Sequence, residues 1–219
     1  MTHPPTGGMS RRDRGDSMTY GELKKRVLQL IFSYSVAGSE IPAAYNNQAD
    51  YLAMIPGLVN NGQMDIAASV KRLPAQAAVS DLETETVNGR TLYKLPADCW
   101  LPFTGGLLSC RGRRYERFFR YRFVGRELDL YGQCPHGLVL EYWRYPLLVT
   151  AETDDAEELD NTPDVHECLV FYVAAHLLAY DDPYRYTVFK NMYEERMSRL
   201  REPVWLEPGP IVNLYRRGG

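Results

Sequence analysis

Residues 115–130 read YERFFRYRFVGRELDL, and their alternation decides the fold class. Phe119, Tyr121 and Phe123 alternate with Arg120 and Arg122, the period of a strand with one face buried. Val124-Gly125-Arg126-Glu127 turns the chain, and Leu128 and Leu130 carry the pattern onto the next strand. Period two extends on both sides, from about Val79 to Val149. Asn88-Gly89 sits between two β-prone runs and signals a hairpin, because the tight turn wants positive φ at both central positions. A strand is predicted over Thr91–Leu95, ended by Pro96, and another over Gly137–Tyr145 with Leu138, Leu140 and Tyr142 on one face. The reading gives five or six short strands in a small antiparallel sheet or sandwich.

Outside this region the period changes to that of a helix. Tyr20, Leu23, Val27, Leu30, Ile31 and Tyr34 follow 3–4 spacing, which predicts an amphipathic helix ending near Gly38. A second helical stretch runs from about Asn47 to Arg72, with Tyr51, Leu52, Ile55, Leu58, Val59, Ile66, Ala67, Val70 and Leu73 on its stripe. Pro56 lacks a backbone donor, so a kink or a break into two helices is expected there. After the strands, Asn161-Thr162-Pro163 is a cap with proline at the first helical position. Val165, Leu169, Tyr172, Val173, His176, Leu177 and Tyr180 form the next stripe. Asp181-Asp182-Pro183 restarts the chain, and Tyr186, Phe189, Tyr193, Met197 and Leu200 continue to about Arg201.

The predicted class is therefore α+β: a helical bundle of two helix pairs, an antiparallel β-domain inserted between them and an extended C-terminal arm. Residues 1–17 form a flexible leader, because Pro-Pro, Gly-Gly and three arginines offer little to bury. Residues 18–75 hold the N-terminal helices and 76–150 the β-domain. Residues 151–202 hold an acidic link and a helix pair that packs with 18–75. Residues 203–219 are the arm.

Composition narrows the function. The charge balance is 25 Lys+Arg against 28 Asp+Glu, a formal −3, so the whole chain is not a basic nucleic-acid binder. No apolar run approaches the ~18 residues of a membrane span, and no signal-peptide core stands at the N-terminus. Four cysteines without a CxxC pair fit a reducing compartment and a cytosolic globular protein. Cys134-Pro135-His136 lacks the close ligand pairs that zinc wants, so no metal is expected. Cys168 and His176 lie about 12 Å apart along a helix, too far to act as a thiol–imidazole pair. Nucleotide-binding glycine motifs and G-x-S-x-G are both missing. No catalytic residue and no cofactor are assigned.

Charge is the informative feature. Seven arginines (Arg111, Arg113, Arg114, Arg117, Arg120, Arg122 and Arg126) face one acid between 111 and 126. Eight acids, including Asp154, Asp155, Glu157 and Glu158, stand between 152 and 167 without a Lys or Arg. Two solvated faces would explain this pattern. So would a head-to-tail contact between identical subunits, in which arginine forks meet carboxylates and the cycle closes. A further reading uses the arginines with Phe118, Phe119 and Tyr121 as a stacking surface for nucleic acid. The arm carries Val204, Trp205, Leu206, Ile211, Val212, Leu214 and Tyr215 among prolines. An extended apolar segment of this kind suits a groove on another chain or on its own body, and a partner is the favoured reading.

Three stretches carry a resemblance: 51-YLAMIPGLVNNGQMDIA-67, 138-LVLEYWRYP-146 and residues 163–200 with Asp-Asp-Pro between helices. Together they resemble the head-to-tail connector proteins of tailed bacteriophages, also called portal adaptors or tail accessory factors. The resemblance spans about Tyr20 to Leu200. It implies a structural virion protein, a homo-oligomeric ring, usually of twelve subunits, seated beneath the portal. The arm would dock on the portal protein, double-stranded DNA would pass through the lumen unread, and a tail or neck protein would bind below. Assembly in the host cytoplasm and a place in the virion neck follow, with no membrane involved. The alternatives are a nucleic-acid-binding accessory module built on strand 115–124, and a hydrolase near Cys134 and His136.

Overall fold

Thr19 and Glu22 open the first helix by capping each other. The Thr19 amide donates to Glu22 Oε2 at 3.0 Å, and the Glu22 amide donates to Thr19 Oγ1 at 3.2 Å, satisfying two donors that the helix itself leaves unpaired. Helix α1 runs Tyr20–Phe32 and buries Tyr20, Leu23, Val27, Leu28 and Ile31. The computed structural model describes residues 17–32, 48–111, 114–131, 137–160 and 162–200. The leader to residue 16, the stop expected near Gly38, Cys134, His136 and the arm 203–219 lie outside the described residues.

Helix α2 spans Gln48–Ser69 without interruption at Pro56, so the expected break into two helices does not occur. Ile55 and Val59, on either side of the proline, are both fully buried, and that packing keeps both halves helical. The carbonyl that loses its partner belongs to Leu52, assigned to the buried stripe but 38% exposed. Leu73, read as the end of this helical stripe, instead starts a strand. Helix α3 is Pro163–Leu177 and α4 is Pro183–Leu200, with Asp182 Oδ1 accepting the Arg185 amide at 3.0 Å as the cap of α4. Tyr180, assigned to the buried stripe, is 93% exposed in the turn between them. Helices α1, α2 and α4 each contact α3, and all four share one apolar core in which Leu23, Ile55, Val59, Leu169 and Val173 are fully buried.

Among the described residues the middle of the chain forms eight strands, more than the five or six predicted. They are β1 (Leu73–Ala78), β2 (Thr84–Val87), β3 (Arg90–Lys94), β4 (Cys99–Arg111), β5 (Arg114–Arg117), β6 (Tyr121–Val124), β7 (Glu127–Leu130) and β8 (Leu138–Arg144). One sheet has the order β1-β8-β4-β5 and the other β2-β3-β7-β6, all antiparallel. The β2–β3 hairpin turns at Asn88 (φ 52°) and Gly89 (φ 74°), as its two-residue loop requires. Residues 115–124 are not one strand. The Phe118 amide donates to the Leu107 carbonyl at 2.8 Å, β5 stops, and the chain crosses to the second sheet. That crossing keeps Phe118, Tyr121 and Phe123 on a second core with Leu107, Leu128, Leu138 and Leu140, and leaves Phe119 69% exposed.

A polar joint ties this β-region to the helices. Asn60 on α2 donates through Nδ2 to the Val149 carbonyl and accepts the Val149 amide at Oδ1, both at 2.9 Å. Gln63 Nε2 reaches the Leu147 carbonyl at 3.4 Å. Arg144, at the end of β8, makes a two-pronged ion pair with Asp160, which also accepts the Leu147 amide at 3.0 Å. Arg72, just past α2, lies 5.9 Å from the ring centres of both Trp100 and Trp143. The architecture among the described residues is mixed α+β, with four helices and two antiparallel sheets.

Candidate functional site

The arginine block divides according to what each guanidinium already holds. Arg126 donates to three carbonyls, those of Pro96 at 2.9 Å and Ala97 at 3.3 Å in the β3–β4 loop and that of Cys99 at 3.1 Å at the start of β4. Arg122 grips Asp129 on the neighbouring strand, with Nε and Nη2 at 2.9 and 2.8 Å. The Asp129 side chain is 4% exposed and has Arg90 as a second partner at 3.6 Å. Arg122 thus ties β6 to β7, and Arg126 ties their turn to the chain entering β4. Arg117 and Arg120 are exposed and, among the described residues, make no ion pair. Arg111 and Arg114 face each other in register across β4 and β5; their side chains, and Arg113 altogether, lie outside the described residues. Beside the exposed pair stand Tyr115 and Phe119, 60% and 69% exposed.

The acidic block divides the same way. Asp160 is taken by Arg144, Asp164 by Lys71 at 2.8 Å, and Asp155 by Lys24. Glu167 bridges Arg26 and Arg196, joining α1, α3 and α4. Burial raises the Asp160 carboxyl, but the Arg144 and Leu147 hydrogen bonds and the Arg144 charge together pull it below the ordinary carboxylate range. Asp164 is lowered likewise, burial being outweighed by Lys71 and Thr162. The link's backbone is also engaged, because the carbonyls of Asp155 and Glu157 accept the Gly21 and Tyr20 amides at 2.9 Å. Glu158 bridges to Thr19. Glu152, Asp154 and Glu157 remain exposed. Of the interface acids expected from sequence, Asp155 and Glu158 belong at least partly to the chain's own fold.

The structure adds two residues that the sequence reading passed over. Leu147 and Leu148 are 61% and 70% exposed, although the backbone carrying them is held by Asn60, Gln63 and Asp160. A Leu-Leu pair directly after Pro146 was the available signal; an alternating strand followed by an acidic run drew attention past it.

The groups weighed for catalysis have other occupations. Burial pushes the Cys168 thiol up to about 11 despite Arg196 nearby, and it raises Cys99 too, so neither supplies a ready thiolate at neutral pH. His166 is buried and accepts the Met18 amide at Nδ1, 3.2 Å away. His176 Nδ1 lies 2.8 Å from the Tyr172 carbonyl, with the imidazole stacked on the Tyr172 ring. Among the described residues no three His, Cys, Asp or Glu side chains are placed to share a metal ion, and no helix is long and apolar enough to cross a membrane. An open cleft of about 820 Å³ between the sheets is bordered by Asp81, Glu83, Lys94, Arg126 and Tyr142. Its cations are already paired, Lys94 with Glu83 and Glu85 and Arg126 with the loop carbonyls.

Among the described residues, what remains outward is a set of apolar and charged surface groups. A family model described as SU10 adaptor protein matches residues 18–207. The chain belongs to that family. No curated protein matches it. The family is one of phage adaptors, so the adaptor has a structural role as a component of the virion. The match begins at Met18, where the described core also begins: Met18 is buried and its carbonyl accepts the Leu159 amide at 3.0 Å.

Proposed function

We propose that this adaptor is a head-to-tail connector: identical copies form a ring beneath the portal, extend the DNA channel and join capsid to tail. Membership of the SU10 adaptor family over 18–207 carries this reading. The unpaired Arg117 and Arg120 on one surface and Glu152, Asp154 and Glu157 on another support it, since head-to-tail contacts need two different complementary patches. In this reading residues 203–219 dock on the portal through Trp205, Leu206, Ile211, Val212, Leu214 and Tyr215. A neck or tail protein binds the opposite rim, and DNA passes through without base contacts. Twelve copies are the expected number.

Negative-stain images of the purified full chain, alone and mixed with its portal, test the proposal. Closed rings with an axial opening, stacked on the portal, are the expected result. Deleting 203–219 should leave the rings and abolish the stacking. Monomers at every concentration, with portal present, would overturn the connector reading. A nucleic-acid module is the second reading, favoured by exposed Phe119 beside Arg117 and Arg120. It requires an isolated monomer to bind single-stranded DNA with a steep salt dependence.

A further inference from the structure

We infer that Leu147 and Leu148 of one copy seat against Tyr115 and Phe119 of the next, forming the apolar centre of the contact between subunits. The inference rests on the ring reading above and names the residues that hold the ring.

Single exposed leucines are common on protein surfaces. Two consecutive ones on a fixed backbone are a different case. The Leu147 amide is held by Asp160, its carbonyl by Gln63, and both the amide and the carbonyl of Val149, just past Leu148, by Asn60. Asp160 is in turn fixed by Arg144. The side chains therefore project from a segment that loses little freedom on binding, which is the condition for a small apolar group to contribute strongly to association. They contribute little to the fold, being 61% and 70% exposed.

The partner surface is chosen by charge and by position. Exposed Glu152, Asp154 and Glu157 follow the leucines within ten residues. Exposed Arg117 and Arg120 flank Phe119 on the second patch, with Tyr115 beside Arg117 on β5. Each patch thus joins exposed apolar groups to charges close by in sequence, and those charges are of opposite sign, the complementarity that an apolar contact with a charged surround needs. The two patches cannot meet within one chain. Phe118 bonds Leu107, which pairs with Leu140 of β8. From that level β8 runs on to Arg144, on the order of 13 Å at ~3.3 Å per residue, before the leucines begin. β5 also lies on the far side of β4 from β8. Surfaces so separated give a head-to-tail contact, which propagates from copy to copy.

The test uses the full chain carrying L148C and F119C together, oxidised gently and run on a non-reducing gel beside native mass spectrometry. A disulfide needs Cα atoms within about 7 Å, so the two thiols cannot close within one chain. The inference expects a ladder of covalent species reaching beyond the dimer, absent from each single variant. Rings by mass spectrometry without a ladder would place the contact elsewhere and overturn the inference, leaving the ring reading intact. Failure of the unmodified chain to assemble at all would overturn both. As an independent arm, L147S/L148S should keep the thermal unfolding midpoint of the parent while weakening association at least tenfold, as loss of a central anchor does. Unchanged association of that variant would also sink the inference.

Discussion

Arg120 and Arg122 stand two residues apart on neighbouring turns of the same pattern, yet their roles differ. Arg122 neutralises a carboxylate that is almost wholly buried at Asp129, whereas Arg120 is exposed and, among the described residues, makes no ion pair. Reversing Arg122 to Glu would set two carboxylates against each other and leave Arg90, 3.6 Å away, as the one remaining cation at Asp129. The cost is about 1–3 kcal/mol of stability, since a buried charge loses its best hydrogen bonds. Reversing Arg120 should leave unfolding within about 0.5 kcal/mol of the parent and act on association alone. Urea unfolding and sedimentation of the two variants separate these effects. Equal destabilisation of the fold by both would show that the block is not divided as the contacts indicate. The sequence shows seven arginines of one kind; only the folded register reveals which of them meet Asp129 or the carbonyls of the β3–β4 loop.

Element-level legibility follows the same logic. The helical stripes of α1 and α4 and the Asn88-Gly89 hairpin were readable, because each depends on residues close in sequence. Three features were not. A kink or a break was expected at Pro56; the break does not occur, because burial of the neighbours Ile55 and Val59 outweighs a single lost bond. The alternating stretch 115–124 looked like one strand, but it changes sheets at Phe118: β5 pairs back onto β4 in one sheet, while β6 pairs forward onto β7 in the other. Tyr180 fitted the α3 stripe but falls beyond the last helical turn. The glycines of α2 give a test of how helix packing, rather than propensity, governs this region. A Cβ at Gly62 would lie 2.7 Å from Leu169 Cδ1 and 2.8 Å from Tyr172 Cδ1 on α3, while one at Gly57 would meet nothing within 4 Å. Gly57→Ala should therefore stabilise by up to about 1 kcal/mol through propensity. Gly62→Ala should destabilise by about 1–2 kcal/mol net, because overpacking against a fully buried leucine exceeds that gain. Denaturant midpoints that rise for both substitutions would contradict the close approach of α2 to α3.

At the scale of the whole molecule, two apolar cores, one helical and one between the sheets, are joined through polar groups. Arg144 at the end of β8 and Asp160 before α3 form the charged part of that joint, with the Leu147 amide as third member. The sequence displayed Asp160 only as one acid in a run of eight, since its partner is supplied by the return of β8 toward α2. The arrangement makes the joint sensitive to acid in a definite direction. The Asp160 carboxyl titrates below its ordinary value in the fold, against about 3.9 when unfolded. The folded state thus binds fewer protons, and the stabilisation is fully present above pH ~4 and lost as pH falls through the lower, folded value. Asp160→Asn removes the titrating group, so its unfolding free energy should be lower than the parent's at pH 7 and fall less steeply between about pH 4 and pH 2. Asp164, also lowered, keeps part of the acid slope in that variant, so the slope should shrink rather than vanish. Since Asp160 also fixes the segment that presents Leu147 and Leu148, the same substitution should weaken self-association at neutral pH without altering either leucine. Unfolding curves at pH 7, 4 and 3, paired with sedimentation at pH 7, provide the measurement. A variant with the parent's acid slope and the parent's association would show that the Arg144–Asp160 pair neither holds the joint nor orders the leucines beside it.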